Sequence, residues 1–191
     1  MRLFVALEIS SDVRGNLAAL LKELRALEPP SSAKRMRWVR PENLHVTLKF
    51  IGEAAPEKLE AIDAALSAVH SAQPVELRFR GLGFFPKEKR PRVLWAGIEA
   101  SPNLAAIAGG VDQHLEKAGF PRESRPFTPH LTLARFEPPS IARELHAAVQ
   151  ENAARDFGLL RTGEFHLIES KLKPSGAEYT TLRSFPFAAE A

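Results

Sequence analysis

The sequence predicts an α+β fold in two lobes. Two pseudo-symmetric β-α-β-α-β halves, about 1–83 and 91–191, carry antiparallel-rich sheets around a central cleft, with helices on the outer faces. Three observations lead there. Nine residues occur twice in register: Arg40-Pro41-Glu42-Asn43-Leu44-His45-Val46-Thr47-Leu48 and, 85 positions later, Arg125-Pro126-Phe127-Thr128-Pro129-His130-Leu131-Thr132-Leu133, identical at five positions. The order of strand and helix patterns around the two copies is the same. Each half alone would be small and would leave strand edges unpaired, so the halves are read as one unit with a surface loop between them at about 81–91.

The elements follow in order. Leu3-Phe4-Val5-Ala6-Leu7 with polar flanks predicts a buried strand over 2–9. Ser10-Ser11-Asp12 supplies helix caps, and Val13, Leu17, Leu20, Leu21, Leu24 and Leu27 keep helical spacing until Pro29-Pro30 stops them. The first motif strand covers about 44–51. Pro56 opens a helix with Leu59, Ile62, Leu66 and Val69 on one side, and a strand runs near 75–82. In the second half, Val93-Leu94-Trp95-Ala96-Gly97-Ile98 is a strand. Ser101-Pro102 starts a helix carrying Leu104, Ile107, Val111 and Leu115. The second motif strand covers about 130–136. Pro138-Pro139-Ser140 begins a helix through Leu145 and Val149, one strand is expected near 160–170, and a last one around 178–185.

The chain has 191 residues, of which 45% are hydrophobic and 26% charged, as in ordinary soluble proteins. The first residues are apolar too briefly for a signal or a membrane span, so a cytoplasmic protein with no membrane partner is expected. With no cysteine, disulfides, thiolate catalysis and cysteine-held metals are excluded. Net charge is only +3, but the basic residues cluster: Lys34, Arg35, Arg37 and Arg40 before the first motif, Lys87, Lys89, Arg90 and Arg92 between the halves, and Arg122 and Arg125 before the second. A single such run is often just a solvated face. Three of them, two abutting the repeat, favour an anionic partner such as a nucleic acid.

On a strand, alternate side chains share a face, so His45 lies beside Thr47 and His130 beside Thr132, while Val46, Leu48, Leu131 and Leu133 face the core. A lone histidine is more often structural than catalytic. Common descent of two halves explains repeated core leucines, but not repeated polar residues on the opposite face. Imidazole titrates near pH 6.5, so two histidines supply one neutral base and one protonated acid at neutral pH. Threonine hydroxyls donate to phosphate oxygens without adding charge. The set suits in-line displacement at phosphorus. It suits acyl transfer less, because no Gly-x-Ser-x-Gly turn is present. His70, His114 and His146, on expected helices, and His166, on a late strand, read as surface or structural. No metal-ligand spacing accompanies the motif strands, so neither a metal nor another cofactor is expected.

These residues resemble a known superfamily. His45-Val46-Thr47-Leu48 and His130-Leu131-Thr132-Leu133 look like the paired motifs of the 2H phosphoesterases. Arg2-Leu3-Phe4-Val5-Ala6, Lys49-Phe50-Ile51-Gly52-Glu53, Pro91-Arg92-Val93-Leu94-Trp95, Ala134-Arg135, Ser170-Lys171-Leu172 and Gly176-Ala177-Glu178-Tyr179 are similar to stretches of its RNA 2',3'-cyclic phosphodiesterases, historically called 2'-5' RNA ligases. The resemblance implies one such domain over 1–191 and metal-independent hydrolysis of a terminal 2',3'-cyclic phosphate to a 2'-phosphate. It makes His45 the proton donor to the leaving 3'-oxygen, His130 the base that activates water, and Thr47, Thr132 and Arg135 the phosphate contacts. The near-symmetric sequence by itself does not assign acid and base. Implied partners are RNA with cyclic-phosphate ends, including transfer-RNA fragments, or small cyclic nucleotides, and nothing requires more than a monomer. Two alternatives stand beside this reading: 2'-5' ligation by the reverse reaction, and a non-catalytic RNA-binding module using Trp38, Phe84 and Phe85.

Overall fold

Five consecutive apolar residues, Leu3–Leu7, form a strand whose apolar side chains are all buried. A run without alternation suits a strand covered on both faces. The computed structural model describes residues 1–28, 36–86, 91–137, 142–174 and 176–187. The chain runs β1 (Arg2–Glu8), α1 (Ser11–Ala26), β2 (Met36–Trp38), β3 (His45–Glu53), α2 (Leu59–Ser67), β4 (Val75–Phe85), β5 (Val93–Ala100), α3 (Asn103–Lys117), β6 (His130–Phe136), α4 (Arg143–Glu151), β7 (Asp156–Thr162), β8 (Glu164–Lys173) and β9 (Gly176–Pro186). Short 3-10 turns precede β3 at Pro41–Asn43 and α2 at Pro56–Lys58. Pro29, Pro30, Lys34, Arg35, Lys87, Lys89, Arg90 and Pro138-Pro139-Ser140, used above as a helix stop, basic residues and a helix start, lie outside the described residues.

The strands form two sheets, β3-β1-β8-β9 and β2-β6-β5-β4-β7, with every neighbouring pair antiparallel. The α+β class and the antiparallel sheets are those the sequence predicts. The order β3-β1-β8 in one sheet matches β6-β5-β4 in the other. In each sheet, two neighbouring strands come from one half of the sequence and the third crosses over from the other half. One core joins the inner faces of both sheets to the helices: Leu3, Val5, Leu7, Val46 and Leu48 meet Leu94, Ala96, Leu131 and Leu133 within it. Against this core α1 packs at β7, α3 at β3, α4 at β4, and α2 at α3 and β9. Ser10 caps α1 by accepting from the Val13 N–H at 3.3 Å. Among the described residues no helix is long and apolar enough to cross a membrane.

Three differences from the sequence reading have local causes. The strand expected at 160–170 is two strands: the chain leaves one sheet at Thr162, turns at Gly163 and enters the other at Glu164. The three-residue β2, at the edge beside β6, is too short to leave a periodic signal. His70 lies beyond the end of α2, whereas His114 and His146 are on α3 and α4 as expected.

Both motif strands carry a bulge at the same offset. Val5 pairs with Lys49 and Ala6 with Thr47, so Leu48 is the extra residue of β3. Leu94 pairs with Ala134 and Trp95 with Thr132, so Leu133 is the extra residue of β6. A bulge shifts the alternation of the residues after it. Leu48 and Lys49 are both buried while Phe50 is exposed, and Leu133 and Ala134 are both buried while Arg135 is exposed. Without its bulge, β6 would turn Arg135 to the core with Leu131 and Leu133.

Candidate active site

His45 opens β3 and His130 opens β6, each placed by the turn or segment before it. The 3-10 turn Pro41–Asn43 delivers the Asn43 carbonyl to His45 Nδ1 at 2.7 Å. That turn is itself held on two sides. Arg14 of α1 donates to the Pro41 and Glu42 carbonyls at 3.2 and 3.0 Å, and the Asn43 amide donates to the Ala177 carbonyl of β9 at 2.8 Å. On the other side, the Thr128 carbonyl lies 2.9 Å from His130 Nδ1, and Phe127 packs against the main core. In both motifs the partner is the backbone carbonyl two residues earlier. A carbonyl only accepts, so each Nδ1 holds its proton and donates it. The Nε2 of each ring is then the nitrogen left to exchange a proton.

Aromatic rings back both imidazoles. Phe4 of β1 lies 4.7 Å from the His45 ring and Tyr179 of β9 lies 5.3 Å from it, centroid to centroid. Phe4, Ala6 and Ile168 form a small buried cluster with Tyr179 packed on it, on the face of β1 away from the main core. Beside His130 stands Phe85 at 5.8 Å, edge to face, and Phe85 in turn meets Trp95 at 5.6 Å. Thr47 and Thr132 are half-buried, two residues along each strand from their histidines. The two motif strands approach each other with Cα atoms within 8 Å. The Tyr179 hydroxyl is pushed up from its ordinary pKa by burial, opposed by the charges of Arg135 and Arg2. Arg135, beyond the second motif, is thus felt at a ring that touches the first. A pocket of about 210 Å3 beside His45 is walled in part by Glu8, Asn43, Tyr179 and Thr181, and Thr181 donates to Glu8 at 3.1 Å.

Of the three aromatics considered for base stacking, Phe84 is buried in the core and the Trp38 N–H is bonded to Glu28 at 2.8 Å. Phe85 is partly exposed. Phe4 and Tyr179 were not singled out as site residues. Tyr179 is the only tyrosine of the chain, but its place beside His45 depends on β9 joining β8 and is not written in local sequence. His166 is buried on β8 and its Nδ1 shares a hydrogen bond of 3.0 Å with Ser184. Among the described residues no group of three or more His, Cys, Asp or Glu comes together to hold a metal ion.

Burial lowers the His45 pKa from 6.5, against a smaller upward pull from the hydrogen bond to Asn43. Between the folded and unfolded values the unfolded chain binds more protons, so stability rises with pH. The contribution is complete above pH 6.5 and is lost as pH falls through the folded value. Urea unfolding of the native protein and of His45→Gln from about pH 5 to 7.5 should give the native protein the steeper dependence. Equal slopes would show that His45 pays no desolvation cost.

The sequence profile of the 2'-5' RNA ligase superfamily matches residues 13–173. An RNA 2',3'-cyclic phosphodiesterase of Archaeoglobus fulgidus is 37% identical over 185 residues, covering 97% of this chain and 99% of that one. A crystal structure from Thermus thermophilus superposes with a TM-score of 0.79 at 31% identity, covering 100% of both chains. Escherichia coli LigT complexed with 3'-AMP superposes with a TM-score of 0.73 at 26% identity, covering 98% of each.

Proposed function

The chain belongs to the 2'-5' RNA ligase superfamily, and from that premise we propose that it hydrolyses RNA-terminal 2',3'-cyclic phosphate to a 2'-phosphomonoester, with His45 and His130 as general acid and base. The observation that carries this reading is the repeated Nδ1-to-carbonyl bond, which leaves Nε2 of both rings free for proton transfer. The name shared by curated relatives supports the substrate class.

In this mechanism water attacks phosphorus in line, the P–O3' bond breaks, and the phosphate stays on O2'. His130 takes the proton from water and His45 gives one to the departing O3'. Hydroxyl groups of Thr47 and Thr132 donate to the non-bridging oxygens, and the Arg135 guanidinium, turned out by the β6 bulge, balances their charge. Burial by itself favours the neutral form of His45. A phosphodiester anion beside the ring favours its protonated form, which is the form a proton donor needs. No step needs a metal ion.

The test is product analysis. An oligoribonucleotide ending in 2',3'-cyclic phosphate is incubated with the protein in EDTA, alone and with a second fragment bearing a 5'-hydroxyl, and products are resolved by chromatography and 31P NMR. A 2'-phosphate end formed in EDTA is the expected result. A 3'-phosphate end, or activity lost to EDTA and restored by a divalent ion, would overturn the mechanism. Joined fragments in place of hydrolysis would establish the reverse reaction.

A further inference from the structure

We propose that Lys49, on the strand that carries the first motif, is a positioning residue for the second motif: it fixes the segment that holds the His130 ring. The proposal concerns the same site as the phosphodiesterase reading and rests on it for its kinetic readout only. The β3 bulge turns Lys49 inward, where its side chain is 4% exposed. There the ammonium donates to the carboxylate of Asp112 on α3 and to the Pro121 carbonyl at 2.7 Å. Asp112 also accepts from the Glu123 N–H at 3.0 Å and from Arg122 Nε at 3.2 Å. Glu123 in turn accepts from the Arg125 N–H at 3.3 Å. Burial works to raise the Asp112 pKa, but the hydrogen bonds of Lys49 and Glu123 and the charges of Lys49 and Arg122 hold it below its ordinary value. The carboxylate is therefore ionised and the node is an ion pair.

What this node holds is the start of residues 121–129, a stretch with neither helix nor strand that delivers the Thr128 carbonyl to His130 Nδ1. A buried ammonium is costly to desolvate, and apolar packing at that position would contribute as much or more to stability. The ammonium, unlike a methyl group, can fix a backbone carbonyl at a set distance. The residue at the same offset in the second motif is Ala134, which makes no such bond and pairs with Leu94 in the sheet. The support thus runs one way, from the His45 strand to the His130 segment, and it distinguishes two motifs that are otherwise near copies.

The test uses the full chain carrying Lys49→Met, and a second variant, Lys49→Met with Asp112→Leu, which leaves neither charge buried. Histidine ring signals are followed by 1H–13C NMR, and kcat and KM are measured on cyclic-phosphate RNA. Expected is a displaced His130 signal with the His45 signal in place, and a fall in kcat on the order of 10- to 100-fold with KM little changed, since a misplacement near 1 Å carries such a loss. The double variant should recover thermal stability without recovering kcat or the His130 signal. Recovery of kcat together with stability, or an unmoved His130 signal in a folded variant, would overturn the proposal. The NMR arm needs no turnover, so an error in the substrate reading leaves it intact.

Discussion

Alanine in place of His45 or of His130 is expected to lower the rate of cyclic-phosphate opening by about 10²–10⁴ for each, the range for a positioned acid or base. The two losses should not multiply. Once one proton carrier is gone the reaction follows another course, and the second deletion removes little more. His130→Ala frees only the exposed Thr128 carbonyl, whereas His45→Ala leaves the partly buried Asn43 carbonyl without its ring donor. His45→Ala also loses ring contacts with Phe4 and Tyr179, so a modest loss of stability should accompany it at neutral pH. Binding of a non-hydrolysable nucleotide should change only a few-fold. Single-turnover kinetics and calorimetry measure both quantities, and a variant of either histidine with native turnover would remove the two-imidazole mechanism.

The second large effect concerns Gly97, which pairs directly with His130 across β5 and β6. A Cβ at this position would sit 2.4 Å from the Arg80 carbonyl oxygen and 3.3 Å from the Trp95 ring. The first obstacle is backbone, at the irregularity where β4 pairs with β5 between Phe79 and Leu82, and cannot rotate away. Gly97→Ala must therefore push β4 and β5 apart, at a cost of about 1–3 kcal/mol as for an overpacked core. The strain falls on the residue facing His130, so activity should drop along with the urea midpoint. Gly109→Ala serves as the contrast. It lies inside α3 where, among the described residues, no atom beyond its chain neighbours and the helix's own backbone comes within 4 Å of the added carbon, and should stabilise by about 0.4–1 kcal/mol without touching activity. Equal midpoints for the two variants would refute the steric argument.

What could be read in the sequence and what could not divides on physical grounds. The apolar run Leu3–Leu7, the capped and periodic α1, and the two motif strands each carry a local signal strong enough to place them. The repeat placed His45 with Thr47 and His130 with Thr132 on shared faces. The bulges at Leu48 and Leu133 had no such signal: a bulged leucine is chemically identical to a paired one, and only pairing with β1 and β5 creates the extra residue. Strict alternation would turn Arg135 to the core, so it is the resemblance and not periodicity that selects it. Gly163 was equally quiet. A glycine inside a strand pattern marks a bulge or a bend, and here, between Thr162 and Glu164, it is the corner where the chain passes from one sheet to the other. The inward turn of Lys49 follows from the β3 bulge and has no local signal either, yet among the described residues Lys49 is one of the most buried charges.

The crossing of β4 and β8 between the sheets bears on how the chain matures during synthesis. Leu3 finds its partner Glu169 only after the whole stretch between them, most of both sheets, has left the ribosome. Until then one edge of β1 has only solvent beside it, a strand template that another nascent chain could occupy. Pairings so remote along the chain also slow folding, because the loop must close before any contact rewards it. Completion of β1 is thus a late event, and a truncated translation product ending before β8 would carry the first motif on an unfinished sheet.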